Sequence, residues 1–554
     1  MFLKLRKLSS ASVKSVSVNF IRNYNECPVN SWNADIEAAG GFSCTGSAND
    51  GSALILGAFT DDNYALSQTI CLTKAAALFN HNINGKLVEM LKASGPLPNL
   101  GEMRVFPKLE PMFSVVAVVG LGDNNAGYEK KEQRDESKEN IRKAVGVACR
   151  YFQGIEVNKI FVEGFEDPES AAEGAFLALW EYQSLRAPDR RNVKIPDVVM
   201  YGDCDWKKWR IGLEKAEAQN FARKLMETPA NLMTPRAFAQ SVVQALCKTS
   251  VNVTLRGETW LKEHNMNAFL ANTKGSPQPP FLLEMTYNGC DPAIPPIILI
   301  GKGITFNSGG LCLKTCEEMK NMRGDMQGAA VVVATFKALA NLGLPINVRG
   351  LIPLGENMPG GTAARPRDIV KSTSGKSILI SPRDFNGNLM LADTLCYAQQ
   401  FKPKYIVTLA SLSKEVKTGF NLTASGIYTQ NEKLWQLLKT SSIHSGDRLW
   451  KLPMWNMFER EVKDFTSADL SILSKYFRRG ISATTTALLN QFVCKPNWAL
   501  IDTLGTMFED GKTSYIKKGM SGRPTRTIVE FLGQMAYPPR EMLEQSGSNE
   551  EEGS

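Results

Sequence analysis

The chain has 554 residues, 43% hydrophobic and 22% charged, with 44 Gly and 27 Pro, the composition of a folded protein with more than one hydrophobic core. No run approaches the roughly 20 uninterrupted apolar residues that cross a bilayer; the best, Phe113 to Gly122, is short and holds a glycine, so no membrane span is expected. Eleven Cys without paired spacing argue against a disulfide framework, and three His (His81, His264, His444) leave little material for a His-rich zinc centre or a Ser-His-Asp triad.

The net charge of +8 is uneven: Met1 to Asn25 carries Lys4, Arg6, Lys7, Lys14 and Arg22 and no acid, and the end of the chain, from Glu541 to Ser554, holds five Glu. The body therefore has no basic footprint, and no nucleic-acid partner is expected. The first residues interleave Ser, Lys and Arg with Phe2, Leu3, Leu5, Leu8, Val13, Val16, Phe20 and Ile21 and lack the apolar core of a secretory signal. They read as a mitochondrial transit peptide over 1–30, which places the protein in the matrix; an ordinary basic terminus is the alternative.

Beyond it, strand-like runs at Ala53 to Phe59, Val115 to Leu121, Ile160 to Glu163 and Val198 to Gly202 alternate with helical patterns at Glu139 to Phe152 and Ala171 to Leu185. That alternation predicts an α/β domain over 40–215 with a largely parallel sheet. A helical pattern from Ile211 to Leu225 is stopped by Pro229 and Pro235, which marks a boundary and opens a second α/β domain over 216–540. In it the pattern predicts a buried strand Ile297 to Ile300, a helix from about Asp325 to Leu342 closed by Gly343, and strands Ile346 to Leu354 and Tyr405 to Leu412. Val331, Val332, Val333, Phe336 and Leu339 make that helix apolar nearly all round, so it is central. Residues 541–554 form an acidic Gly/Ser tail of disordered composition.

Several motifs have bland readings. Gly120-Leu121-Gly122 lacks the third glycine of a dinucleotide loop, Cys312 and Cys316 read as two thiols, and His444 reads as a surface loop residue. The informative constellation runs from Gly301 to Asp393. A strand ends in Gly301-Lys302-Gly303-Ile304-Thr305-Phe306-Asn307-Ser308-Gly309-Gly310 and runs on to Lys314, a helix begins near Asp325, and another segment ends at Asp384-Phe385-Asn386-Gly387-Asn388. Charged groups delivered at strand ends of an α/β sheet are where ligand sites form.

These segments, with Asn220-Phe221-Ala222-Arg223, Thr228-Pro229-Ala230-Asn231, Met322-Arg323-Gly324-Asp325-Met326, Glu356-Asn357-Met358-Pro359 and Arg365-Pro366, resemble the catalytic domain of the leucyl aminopeptidase family, peptidase family M17, the cytosol aminopeptidases. The resemblance implies a two-domain subunit, with a smaller N-terminal α/β domain and a larger C-terminal α/β domain built on a mixed central sheet. It also implies a hexamer made as a dimer of trimers, either of one chain or mixed with paralogues. The family's reaction uses two divalent metals that hold the substrate amine, polarise the peptide carbonyl and supply hydroxide.

Carried over residue by residue, the lysine ligand is Lys302, the catalytic lysine is Lys314, and two aspartate ligands are Asp325 and Asp384. Asn307 and Asn386 stand where the family has carboxylate ligands, and Asn388 stands where it has an arginine that holds bicarbonate. Met322, Phe385 and Leu412 map to the substrate pocket, with Phe385 replacing a small residue; Pro382 and Arg383 replace a polar pair. Four carboxylates balance two dications, whereas Asp325 and Asp384 leave an excess of positive charge. If each missing anion costs about 3–5 kcal/mol, two losses remove most of the ~10–16 kcal/mol of a tight zinc site.

The resemblance with these departures implies a catalytically inactive homologue with a structural, assembly-forming role and no cofactor, or at most one weakly bound Zn or Mn. The pattern of losses is similar to that of the insect sperm leucyl aminopeptidases, structural proteins of sperm mitochondria. The alternatives are a weakened aminopeptidase using one metal at Lys302, Asp325 and Asp384, and a peptide-binding module without hydrolysis. A tagged chain lacking Met1 to Asn25 is expected to stay in the cytosol when imaged in cells; undiminished mitochondrial import would overturn the transit-peptide reading.

Overall fold

The computed structural model describes residues 51–60, 70–191, 195–202, 205–380, 386–471 and 480–538. The basic segment before residue 51, the acidic tail, and Pro382, Arg383, Asp384 and Phe385 lie outside these residues.

In the N-terminal half, strand β1 (Ser52–Thr60) is central, with β2 (Met103–Glu110), β3 (Phe113–Asp123), helix α1 (Glu136–Gly154), β4 (Lys159–Glu163), α2 (Pro168–Leu179) and β5 (Asp197–Tyr201) following along the chain. The sheet order is β2-β3-β1-β4-β5, with the short strand Cys71–Leu72 added to β1. The β3-β1-β4-β5 pairs are parallel and β2 is antiparallel. Ala53 to Leu56 and Val116 to Val119 are buried without exception, as expected for strands covered on both faces. Gly120 has a packing role: a Cβ there would lie 2.2 Å from the Pro98 carbonyl oxygen, so the 98–99 backbone seals this strand end.

Helix α2 is shorter than the periodicity predicts. It stops at Leu179, and Trp180 is extended at ψ 134. The cause is a side-chain cap from α3 (Trp206–Glu227): Asn220 Nδ2 donates to the Phe176 carbonyl and Arg223 Nη1 to the Leu177 carbonyl, while Trp180 turns out to lie 4.2 Å beneath the Arg223 guanidinium.

The C-terminal half contains β6 (Asn252–Arg256), β7 (Phe281–Asn288), β8 (Ile297–Gly301), β9 (Gly303–Asn307), α4 (Gln327–Leu342), β10 (Asn347–Asn357), α5 (Leu389–Ala398), β11 (Tyr405–Ala410), β12 (Ala424–Thr429), α6 (Glu432–Ser445), β13 (Arg448–Lys451), β14 (Trp498–Asp502) and α7 (Thr525–Ala536). Its mixed sheet runs β13-β12-β14-β11-β8-β10-β7-β6, with β9 also on β10. The centre, β14-β11-β8-β10, is parallel, and the flanking pairs β10-β7, β7-β6 and β12-β14 are antiparallel. Helix α4 packs in the core beside β8, its residues Val331, Val332, Val333, Phe336 and Leu339 all buried, and Gly343 at φ 64 closes it by donating to the Leu339 carbonyl. His444 is not in a loop: it occupies the last turn of α6, where the apolar face of Leu434, Leu437 and Leu438 carries the helix further than its polar end suggests.

Two glycines set the site's floor. A Cβ on Gly301 would lie 2.5 Å from the Gly328 carbonyl oxygen, and one on Gly328 would lie 2.0 Å from the Leu409 carbonyl oxygen and 2.9 Å from the Lys302 nitrogen. The first turn of α4 thus touches the ends of β8 and β11 directly. Because the obstacles are backbone atoms, Gly328→Ala forces the helix off the sheet at a cost of about 3 kcal/mol. Urea unfolding should show a clear fall in midpoint; an unchanged midpoint would contradict this account of the contact.

Candidate functional site

Lys302 follows the last residue of β8, Asn307 ends β9, Asp325 follows the 3-10 turn Met322–Gly324 just before α4, and Ser411 and Leu412 follow β11. Three strand ends and one helix start therefore converge. Lys302, Asn307, Asp325, Ser411 and Leu412 are all buried.

Asp325 is the hub. Its Oδ1 accepts from Lys302 Nζ at 2.9 Å and from Ser411 Oγ at 2.5 Å, and its Oδ2 accepts from Asn307 Nδ2 at 2.8 Å. Lys302 Nζ also donates to the Ser411 carbonyl at 2.8 Å. The orientation of the Asn307 amide follows from its other end, where Oδ1 accepts from the Gly309 N–H at 3.0 Å and from Asn357 Nδ2 at 2.9 Å. Two donors on one oxygen leave only the NH₂ group to face Asp325. Gly387, in the turn Asn386–Asn388, packs over this group: a Cβ there would lie 3.5 Å from Lys302 Nζ and 3.3 Å from Asn307 Nδ2.

Lys314 is half-buried on the loop after β9, its N–H bonded to the Ser308 carbonyl. Burial lowers its ammonium to about 8, with the Lys302 charge acting the same way and Asp325 opposing. Met322 is partly buried against the core of the sheet, and Asn388 is buried just ahead of α5, its Oδ1 without a hydrogen-bond partner among the described residues. Asp384 and Phe385 lie outside the described residues, so the structure brings together Lys302, Asn307, Asp325 and Leu412 from the predicted set and leaves those two unplaced.

Sequence reasoning did not single out Ser411 or Asp502, and gave Asn357 only as part of a motif, with no role at the site. Asp502 ends β14 fully buried, accepting from the Leu412 and Leu504 N–H groups at 3.1 Å each and from Ser482 Oγ at 2.7 Å, so it fixes the loop that carries Ser411 and Leu412. Burial raises its carboxyl to about 6 against those hydrogen bonds. The available signal was position: each is a polar residue at or just beyond the end of a buried strand, as Lys302 is.

A pair of divalent cations does not fit the described donor set. Both oxygens of Asp325 already accept from protein donors, and at Asn307 an N–H group points where a metal would need a lone pair. A separate group, Glu169, His444 and Glu530, brings its ligand atoms within 4.8 Å of one another. There Lys215 Nζ sits 2.5 Å from both carboxylates and supplies the cation itself.

The models of two family domains match this chain: "Cytosol aminopeptidase family, catalytic domain" over residues 220–529, and the N-terminal domain of the same family over 55–189. The chain is similar to the cytosol aminopeptidase of Xenopus tropicalis, 40% identical over 486 residues covering 87% of this chain and 92% of the relative, and to that of Bos taurus, 42% identical over 463 residues covering 83% and 88%. Among solved structures it resembles the bottromycin maturation enzyme BotP in complex with Mn, at 27% identity and a TM-score of 0.75, covering 88% of this chain and all of that one.

Replacing the hub acid tests the charge balance. Asp325→Asn leaves the Lys302 ammonium buried beside neutral partners, and the expected loss is about 3–5 kcal/mol in denaturant unfolding. A loss within about 1 kcal/mol, as for a surface pair, would show that Asp325 does not hold Lys302.

Proposed function

Because the chain belongs to the cytosol aminopeptidase family, M17, we propose that it is a member without peptidase turnover, retained for its fold and its assembly into hexamers in mitochondria. One observation carries the reading: Asn307 donates its amide N–H to Asp325 Oδ2 at 2.8 Å, replacing by a hydrogen bond the cation that two facing carboxylates would require. Lys302 neutralises the same carboxylate from the other side, so the cluster is satisfied without metal. Asn386 and Asn388, in place of a carboxylate ligand and an arginine, and Phe385, in place of a small pocket residue, support the same reading from the sequence. The basic, acid-free first 25 residues support the mitochondrial location.

Divalent metal, when bound in a member of the family, supplies Lewis-acid activation of the peptide carbonyl and of water. In this chain Lys302 and Asp325 hold each other, and Lys314, with its ammonium lowered to about 8, stands near them as a partly buried cation. A second reading, a weakened aminopeptidase with one metal at Lys302, Asp325 and Asp384, is favoured by the names of the relatives and by the Mn in the BotP complex.

Elemental analysis of the purified chain, beside a leucyl-substrate assay, separates the two. The expected result is no stoichiometric Zn or Mn and no hydrolysis above background; metal at one or two equivalents with leucyl hydrolysis would overturn the pseudoenzyme reading. Asn307→Asp with Asn386→Glu should gain divalent metal, seen as a Mn-dependent rise in Tm, without matching turnover, because Asn388 and Phe385 remain.

A further inference from the structure

Near the junction of α1, α2 and α3, two arginines carry buried guanidinium nitrogens that have no hydrogen-bond acceptor among the described residues. Arg150, half-buried in the last turns of α1, has its Nε and Nη2 atoms buried with no hydrogen-bond acceptor among the described residues. These two nitrogens form one edge of the guanidinium plane, the edge that binds two oxygens of one oxyanion side by side. Arg223 in α3 is 1% exposed, and its Nε likewise has no acceptor; its Nη1 is spent on the Leu177 carbonyl and on Asn220 Oδ1 at 2.8 Å, and its face lies on Trp180.

The nearby carboxylates are committed elsewhere. Glu509 pairs with Arg523 at 3.2 Å and accepts from the Gly511 and Thr513 backbone. Glu227 pairs with Arg323 at 2.7 Å and accepts from the Met520 N–H. Glu181 holds Lys517 at 3.2 Å and Arg186 at 3.6 Å. Lys517 adds a further ammonium to the cluster, with Gln153 Oε1 as its other partner at 2.7 Å. Buried cations persist when paired, and among the described residues neither Arg150 nor Arg223 has a carboxylate at ion-pair distance.

We propose that Arg150 and Arg223 form a binding site for a multiply charged oxyanion of the phosphate class, gripped by the free Nε/Nη2 edge of Arg150 and the Nε of Arg223, with Lys517 beside it. The site lies apart from the Lys302–Asp325 cluster and uses different elements. The shortage of negative charge around the two guanidinium groups is visible in their own acidity. Burial lowers Arg150, with Glu509 opposing, and burial lowers Arg223 to about 9, with Arg150 and Arg523 adding to the effect and Glu227 and Glu509 opposing it. A dianion between them would reverse both shifts.

Inorganic phosphate titrated into the full chain, followed by calorimetry and by Tm against sodium chloride of equal ionic strength, tests the proposal. Saturable binding with a rise in Tm is expected at millimolar phosphate or below. Arg150→Met should weaken it by about tenfold or more, and Arg150→Lys, which keeps the charge and loses the paired edge, should recover only part of that loss. Circular dichroism of both variants separates lost binding from lost fold, since the Lys variant leaves the charge in place. No saturable response to phosphate, acetate binding as tightly as phosphate, or equal phosphate affinity in Arg150→Met would each overturn it; the first would mean that water satisfies the two guanidinium groups.

Discussion

A carboxylate with no exposed surface, Glu173 in α2, ties the two halves of the chain together. Arg142 from α1 reaches its Oε2 at 2.5 Å and Arg526 from α7 reaches the same oxygen at 2.6 Å, while Arg526 extends to Asp447 at 3.0 Å. All of these groups are buried. Burial alone would raise the Glu173 carboxyl; Arg142 and Arg526 overcome it and hold it down at about 2, so the ion survives only because both cations arrive. Arg526 lies far along the chain from Glu173, and the contact therefore exists only when the C-terminal helix α7 has brought Arg526 to α2. Tyr515 and Ile516 join the core of that sheet for the same reason.

The rule that a buried charge needs a partner also organises the Lys302–Asp325 cluster. With an acid at 307, two carboxylate oxygens would face each other at hydrogen-bonding distance and a cation would have to separate them. With Asn307 the same spacing becomes a donor and an acceptor, and the Lys302 ammonium pairs with Asp325. An amide nitrogen at 307 thus lets the chain's own donors satisfy the Asp325 carboxylate. Ser411 and Asn357 complete it, Ser411 donating to Asp325 and Asn357 to the Asn307 carbonyl oxygen.

Much of the fold was legible because it rests on local signals. The apolar runs at Ala53 to Phe59 and Ile297 to Ile300 became strands with nearly those limits, and Gly343 closed its helix as a left-handed residue must. Where the reading failed, the deciding contact was distant in sequence. The end of α2 is set by Asn220 and Arg223, more than forty residues on, and His444 is helical because Leu434, Leu437 and Leu438 pack into the core. At the site, Lys302 and Asp325 stand out as charged residues beside glycine-rich loops, and Asn307 through the family resemblance. Asp502 did not, because nothing in its own segment shows that it will accept the Leu412 N–H from a neighbouring strand.

The persistence of convergent strand ends is a weaker sign of function than it first suggests. Gly301 and Gly328 bring β8, β11 and α4 together at backbone distance, and the same approach that delivers Lys302 and Asp325 to one point also packs the central helix on the sheet. Selection on stability alone would preserve it, since a Cβ at either position meets a carbonyl oxygen. Side chains are freer to change than this backbone approach, although Asn307 also has a structural role through its bonds to the Gly309 N–H and Asn357 Nδ2. Backbone geometry records what the fold needs; the identity of the atoms that face Asp325 records what the site can still do. Among the described residues those atoms are an ammonium, a hydroxyl and an amide N–H, each donating to Asp325, so both of its oxygens are engaged by the chain's own hydrogen bonds.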